Sequence, residues 1–92
     1  MAPVVIATLE KNRRERVRVA LDEFEGVKLI DLRVTVEMTT TSGLYSPTKK
    51  GLALRVEQLP ALVVALVAAE AKARELGLIA AGPYLGTEDL PQ

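Results

Sequence analysis

Apolar and polar residues alternate in two neighbouring segments of this chain, a pattern typical of β-strands with one buried face. In residues 15–22 the apolar side chains occupy the odd positions from Val17 to Leu21. In residues 28–38 they occupy the even positions from Ile30 onward, and many are β-branched. Between the segments, Glu25-Gly26 fits a tight turn because glycine accepts positive φ values. The pattern therefore predicts an antiparallel hairpin.

Two shorter strands are predicted downstream of this hairpin. Residues 39–43 are polar, lack periodicity and end on glycine, which is typical of a hairpin loop. A strand resumes at Leu44-Tyr45, and Pro47 predicts a break or an edge position because proline has no N–H to donate. The residues Lys49-Lys50-Gly51 predict a turn into a short strand at residues 52–54. Four strands result.

A helix is predicted from Val56 to about Leu76, where apolar residues recur at three- and four-residue steps. Pro60 fits its first turn and Gly77 its C-terminal cap. The helix is apolar nearly all round, so we expect one side to pack on the sheet and the other to meet a second copy of the chain. The predicted sheet-facing residues are Leu59, Leu62, Val63, Leu66, Val67 and Ala73, and the predicted dimer interface is Ala61, Val64, Ala65 and Ala68. Alternatively, the alanines are simply exposed helix formers.

A length of 92 residues allows one domain, which we place at residues 13–77. Residues 1–12 form a lead-in, either an edge strand or a segment without fixed structure, and residues 78–92 are expected to be a loosely held tail. The longest apolar stretch, residues 59–69, is too short to cross a bilayer, and no signal peptide is recognisable. We therefore expect a cytoplasmic protein without a membrane partner.

The composition argues against catalysis. The chain has no cysteine and no histidine, so thiolate metal sites and nucleophile–histidine pairs are absent. The clustered acids Asp22, Glu23, Glu25 and Asp31 are typical of solvated residues around a turn rather than of a catalytic or metal site. We predict no enzyme activity, no metal and no cofactor.

Twelve basic and twelve acidic residues cancel, but they are distributed unevenly. Ten of the twelve basic residues lie between Lys11 and Arg55. On the predicted strands, Arg16, Arg18 and Arg33 share the side opposite the apolar residues, with Lys49 and Lys50 close by. This arrangement is a candidate phosphate track. The alternative is that these charges only solvate the outer face of the sheet.

Five short motifs in fixed order resemble the positive cofactor 4 family of transcriptional coactivators and its bacterial relatives. The resemblance covers roughly residues 13–76. In order, the motifs are Phe24-x-Gly26, Leu29-Ile30-Asp31-Leu32-Arg33, a polar loop, Pro47-Thr48-Lys49-Lys50-Gly51-Leu52-Ala53-Leu54, and Glu57-Gln58-Leu59 at the start of the helix.

The resemblance implies an α+β fold: a four-stranded curved antiparallel β-sheet followed by one long C-terminal helix, homodimeric through helix and sheet. The curved sheets would form grooves for single-stranded DNA, with little sequence preference. Phe24 matches the family's stacking aromatic, Arg33 its strand cation, and Lys49 and Lys50 its loop cations. Phe24 could equally fill the core.

The sequence also departs from the family. Glu25 and Val27 stand near positions where the family often has lysine, with Lys28 as a neighbouring replacement. Val36 stands where a second aromatic is often found, and Tyr45 is available to supply that ring. Each lost stacking contact removes about 1–3 kcal/mol per base, so we expect weaker binding than is usual for the family.

Two functions remain at this stage. The first is a dimeric single-stranded DNA- or RNA-binding protein in transcription, replication or repair, located in the cytoplasm, or on the nucleoid in a bacterium. Its predicted contacts are Arg16, Arg18, Phe24, Lys28, Arg33, Lys49 and Lys50. The second is a protein-interaction module of a transcription or repair complex that binds nucleic acid weakly or not at all.

Overall fold

A computed structural model describes residues 2–38 and 43–80. Four antiparallel strands form one sheet in the order β1-β2-β3-β4, and a single helix follows. The predicted class is thus confirmed for the sheet and the helix. Part of the predicted loop (residues 39–42) and most of the predicted tail (residues 81–92) lie outside the described residues. The elements are β1 (Val4–Glu10), β2 (Glu15–Phe24), β3 (Val27–Glu37), β4 (Tyr45–Arg55), a 3₁₀ turn (Val56–Gln58) and α1 (Leu59–Glu75).

The predicted hairpin turn is confirmed. Phe24 of β2 pairs with Val27 of β3, so only Glu25 and Gly26 connect the strands. Both have positive φ, 51° at Glu25 and 81° at Gly26. Two-residue turns of this kind match the right-handed twist of the flanking strands. Glutamate is a poor residue for this conformation, because a Cβ atom crowds the backbone there.

The prediction of two short strands after the loop is wrong, because β4 runs without interruption through Pro47 and Gly51. Between those residues β4 forms a bulge, in which residues 48–50 lie opposite the single residue Val34. The Thr48 hydroxyl donates to the Val34 carbonyl at 2.8 Å and accepts from the Lys50 N–H at 3.1 Å. Proline is tolerated because β4 is an edge strand, and the bulge absorbs the irregularity that the sequence suggested was a turn.

The fourth strand is β1, formed by the segment for which the sequence left two possibilities. It pairs with β2 as the other edge of the sheet, and its register shifts between Val5 and Ala7. The loop to β2 is held by Asn12, whose side-chain oxygen accepts from the N–H groups of Arg14 and Glu15. The Glu15 carboxylate accepts from the Asn12 amide at 2.8 Å and from Lys11 at 3.0 Å. These hydrogen bonds, that of Asn12 foremost, lower the pKa of Glu15.

The pairing register divides the sheet into two faces, since residues directly opposite each other on paired strands share a face. We call them the cationic face and the aliphatic face. Arg18 pairs with Arg33, and Val19 with Leu32, so the three arginines Arg16, Arg18 and Arg33 lie, as predicted, on the side opposite Val17, Val19, Ile30 and Leu32. The cationic face carries Val5, Thr8, Glu10, Arg16, Arg18, Ala20, Asp22, Phe24, Val27, Leu29, Asp31, Arg33, Thr35, Glu37, Tyr45, Pro47, Gly51, Ala53 and Arg55; the aliphatic face carries Val4, Ala7, Leu9, Glu15, Val17, Val19, Leu21, Glu23, Lys28, Ile30, Leu32, Val34, Val36, Ser46, Leu52 and Leu54.

The helix ends as predicted. The N–H groups of Gly77 and Leu78 donate to the carbonyls of Arg74 and Ala73, and Gly77 has a φ of 74°. This is a Schellman cap, which satisfies two carbonyls at the helix end.

The expectation that α1 packs on its own sheet is wrong. No residue of α1 is buried. Val67, which was predicted to face the sheet, keeps 59% of its surface exposed. Val64, on the predicted dimer stripe with Ala61, Ala65 and Ala68, is 69% exposed. Because β4 passes directly into the 3₁₀ turn, the chain has no connecting loop with which to fold the helix back across the sheet.

The core within one chain is small. Among the described residues the buried apolar positions are Ala20 and Ile30, and no large side chain is fully buried. Both sides of the helix and much of the aliphatic face of the sheet are therefore left without a covering layer.

Candidate nucleic-acid interface

An aspartate between two arginines occupies the centre of the cationic face. Asp31 lies 2.8 Å from Arg33 (Oδ1 to Nη2) and 3.6 Å from Arg18 (Oδ2 to Nη2). Asp31 is only 7% exposed, whereas the two arginine side chains keep 21% and 26% of their surface. Arg33 also donates from Nη1 to the Lys49 carbonyl at 3.1 Å, which fixes it against the bulge of β4.

The two arginines differ in what they can offer a ligand. Arg33 is held by a carboxylate and a carbonyl, so much of its hydrogen-bonding capacity serves the sheet. Arg18 has the longer ion pair, and its buried Nε–H has no acceptor among the described residues. Because Asp31 cancels one of the two positive charges, the cluster presents a net charge of about +1.

The end of the cationic face near the β2–β3 turn carries Phe24. This ring is 66% exposed, so it does not fill the core of its own chain. Beside it is an open cleft of about 570 Å³. A flat exposed ring beside a cleft and a cation suits base stacking. The cleft is lined by Phe24, Glu25, Val27, Leu29, Ala53, Leu54, Arg55 and Gln58.

The opposite end of the cationic face carries Tyr45 and Arg16. The Arg16 Cζ atom lies 4.6 Å from the centroid of the Tyr45 ring, within the range of a cation–π contact. A cleft of about 310 Å³ adjoins this pair. The cationic face thus has an aromatic ring at each end and the arginine cluster between them.

The predicted lysines are placed differently from one another. Lys49 and Lys50 are exposed in the bulge of β4, next to Arg33. Lys28 pairs with Glu23 on the aliphatic side of the sheet, with its ammonium 2.8 Å from the carboxylate. This ion pair is the main cause of the lowered pKa of Glu23. The structure therefore does not bring Lys28 together with the arginines, because strand alternation turns it to the other side.

Two features of this face were missed from the sequence. Arg55 lines the cleft at Phe24. Had β4 been recognised as one strand, the alternation of its side chains would have placed Arg55 on this face. The role of Asp31 was missed because alternation puts Arg33 on its face, whereas the position of Arg18 depends on the register of the neighbouring strand. The face also carries Asp22, whose carboxylate accepts from the Glu23 N–H at 2.7 Å.

Within residues 2–38 and 43–80 no three acidic side chains are grouped so that they could hold a metal ion, and the whole chain lacks histidine and cysteine. No helix in this part of the chain is long and apolar enough to cross a membrane. An antiparallel sheet with a cationic, aromatic-ended face and a C-terminal helix is an arrangement suited to nucleic-acid binding.

Comparison with known proteins identifies the family. Residues 11–65 match the family described as Transcriptional Coactivator p15 (PC4), so the chain belongs to the PC4 family. Its fold matches crystal structures of BPSL1147, a PC4 homolog from Burkholderia pseudomallei K96243. The orthorhombic form gives a TM-score of 0.67 and the tetragonal form 0.65, both at 26% identity and covering 75% of this chain and 90% or 98% of the other. No curated protein sequence matches.

Family membership confirms the resemblance drawn from the sequence and indicates a DNA-binding, coactivator-like function. PC4-family proteins bind DNA and are not enzymes.

Proposed function

We propose that this protein is a homodimer that binds single-stranded nucleic acid with little sequence preference, as a coactivator-like or replication and repair accessory protein. The observation that carries the proposal is the cationic face, where a cation cluster lies between two exposed or half-exposed aromatic rings. Cations that follow phosphates and rings that accept any base are what sequence-tolerant binding needs. Of the predicted contacts, Arg16, Arg18, Phe24, Arg33, Lys49 and Lys50 are retained, and Arg55 is added.

Homodimerisation is supported by the surface that one chain leaves uncovered. A 17-residue helix with no buried residue, next to a sheet with a small core, would expose more contiguous apolar area than soluble monomers usually do. A second copy supplies matching helix and sheet surfaces in a two-fold arrangement. Ala61, Val64, Ala65 and Ala68 remain the proposed centre of the interface, because small side chains allow close approach of two helices.

The proposed partners are single-stranded DNA or RNA, a second copy of the chain and the transcription machinery. The proposed location is the cytoplasm, or the nucleoid in a bacterium. The alternative, a protein-interaction module, is favoured by one observation: Asp31 neutralises part of the central cation cluster. The two functions differ in whether the isolated protein binds an oligonucleotide.

The test is a titration of a labelled strand of about 16 nucleotides, single-stranded and as a duplex, at low and moderate salt. We expect preference for the single strand and a steep loss of affinity with salt, because phosphate contacts release counterions. The double variant K49E/K50E should abolish binding and leave dimerisation intact. Its matched control is K28E/K72E, which changes the net charge equally but away from the cationic face, and which should retain most of the binding.

Absence of binding at low salt would reject this function and favour the interaction module. Equal losses in the two double variants would reject the assignment of the cationic face. Sedimentation equilibrium tests the dimer: V64E should yield monomers while K72E remains dimeric, and a monomeric wild-type protein would reject the proposed interface.

A further inference from the structure

Arg16 and Tyr45 form a layered contact at the end of the cationic face remote from Phe24. The guanidinium carbon lies 4.6 Å from the centroid of the Tyr45 ring. Arg16 is exposed and Tyr45 is half-buried, so the guanidinium is the outer layer and the ring the inner one. Arginine stacks in this way because its charged group is planar and weakly hydrated.

This contact distinguishes Arg16 from the other arginines of the cationic face. Arg33 donates a hydrogen bond to Asp31, and Arg18 forms a longer ion pair with the same carboxylate. Arg16 instead has its guanidinium carbon over the Tyr45 ring. Because Arg16 is exposed, this planar cation is accessible to solvent while the ring supports it.

A cleft of suitable size adjoins this plane. Its volume of about 310 Å³ is at the small end of ligand pockets, which span about 300–1,000 Å³. That size suits a single nucleotide rather than a larger ligand. The lining combines two threonines, Thr8 and Thr35, with Pro47, Gly43 and Arg18.

We propose that the Arg16–Tyr45 pair is a second base-stacking subsite, in which a nucleobase lies on the Arg16 guanidinium and Tyr45 supports it from below. The inference rests on the function proposed above and adds a subsite to it. Arg16 is eight residues from Phe24 along β2, which corresponds to about 26 Å at roughly 3.3 Å per residue. At about 3.4 Å per stacked nucleotide, one strand of about eight nucleotides spans both platforms.

The test uses oligothymidylate of about 12 nucleotides and an abasic strand of the same length and charge. R16K keeps the positive charge but loses the planar guanidinium. Y45L removes the supporting aromatic ring, whereas Y45F keeps that ring. R13K is the matched control, because Arg13 is an exposed arginine in the β1–β2 loop. Stacking contacts account for roughly 5- to 150-fold in affinity per base.

For the base-containing strand we expect R16K and Y45L each to weaken binding at least about 5-fold, with Y45F and R13K unchanged. On the abasic strand all four variants should bind like the wild type. Wild-type affinity of R16K for both strands would overturn the subsite and leave single-strand binding standing. A loss in R16K that is equal on both strands would also overturn it, since Arg16 would then act on the phosphates alone. A wild-type protein that binds neither strand would overturn both proposals.

Discussion

Replacement of Asp31 by asparagine should lower stability and strengthen nucleic-acid binding at the same time. The substitution keeps the shape of the side chain and removes the negative charge that holds Arg18 and Arg33 together. Removing one partner of a buried ion pair costs about 3–5 kcal/mol. Since the arginine side chains keep 26% and 21% of their surface in solvent, we expect a smaller loss of about 1–3 kcal/mol.

The effect on binding has the opposite sign. The cluster gains one net positive charge, and at about 7 Å from a phosphate in a solvated groove that charge contributes roughly 1 kcal/mol, or about fivefold in affinity. If the freed arginines neutralise one more phosphate, the slope of log K against log salt steepens by about 0.7. Stability is measured by urea denaturation and binding by fluorescence anisotropy of a single-stranded oligonucleotide at several salt concentrations.

D22N is the matched control. Asp22 lies on the same face, but its carboxylate accepts from a backbone N–H, which the asparagine oxygen can also do. D22N should therefore change the charge of the face equally and leave the free energy of unfolding nearly unchanged. Asp31 has no organising role if D31N is as stable as D22N. The electrostatic reasoning fails if D31N binds more weakly than the wild type or with a shallower salt dependence.

Three further outcomes test the sheet itself. G51A should lower the free energy of unfolding, measured in urea, by about 2–3 kcal/mol, because a Cβ added at Gly51 would overlap the Leu32 carbonyl. G43A should cost less, because a Cβ added at Gly43 contacts no other atom. Equal costs would contradict the close approach of Gly51 to the Leu32 carbonyl. E25N should raise the free energy of unfolding by about 0.5–1 kcal/mol because asparagine tolerates positive φ, whereas E25Q, which removes only the charge, should not; a gain in both would assign the effect to charge. The pKa of Glu15 is lowered from its ordinary value of 4.5, so ionised Glu15 stabilises the fold above that pH, and this contribution is lost as the pH falls through the pKa of the folded state. E15Q should therefore flatten the acid side of a curve of stability against pH. An unchanged curve would show that the hydrogen bonds to Asn12 and Lys11 do not affect folding.

The local elements were predictable where one residue dictates the backbone. Gly77 ends the helix, and Glu25-Gly26 closes the hairpin, because each uses a conformation that few residues adopt without cost. The same argument failed at Pro47 and Gly51, since those residues also suit a bulge in an edge strand. Local sequence cannot distinguish a turn from a bulge, because the difference lies in whether a neighbouring strand pairs on both sides of the irregularity.

By itself, the sequence determined the alternation that separates arginines from aliphatic residues, the position of the helix and the family. Only the tertiary structure decided which side chains meet: that Asp31 lies between Arg18 and Arg33, that Tyr45 supports Arg16, and that Lys28 lies on the other face. The same holds for the helix. Its apolar sides predicted two packing surfaces, but the sequence did not show that its own sheet covers neither side. The physical reason is that periodicity fixes which face of a strand or helix a residue occupies, whereas contacts depend on register, bulges and the direction in which the chain leaves the sheet.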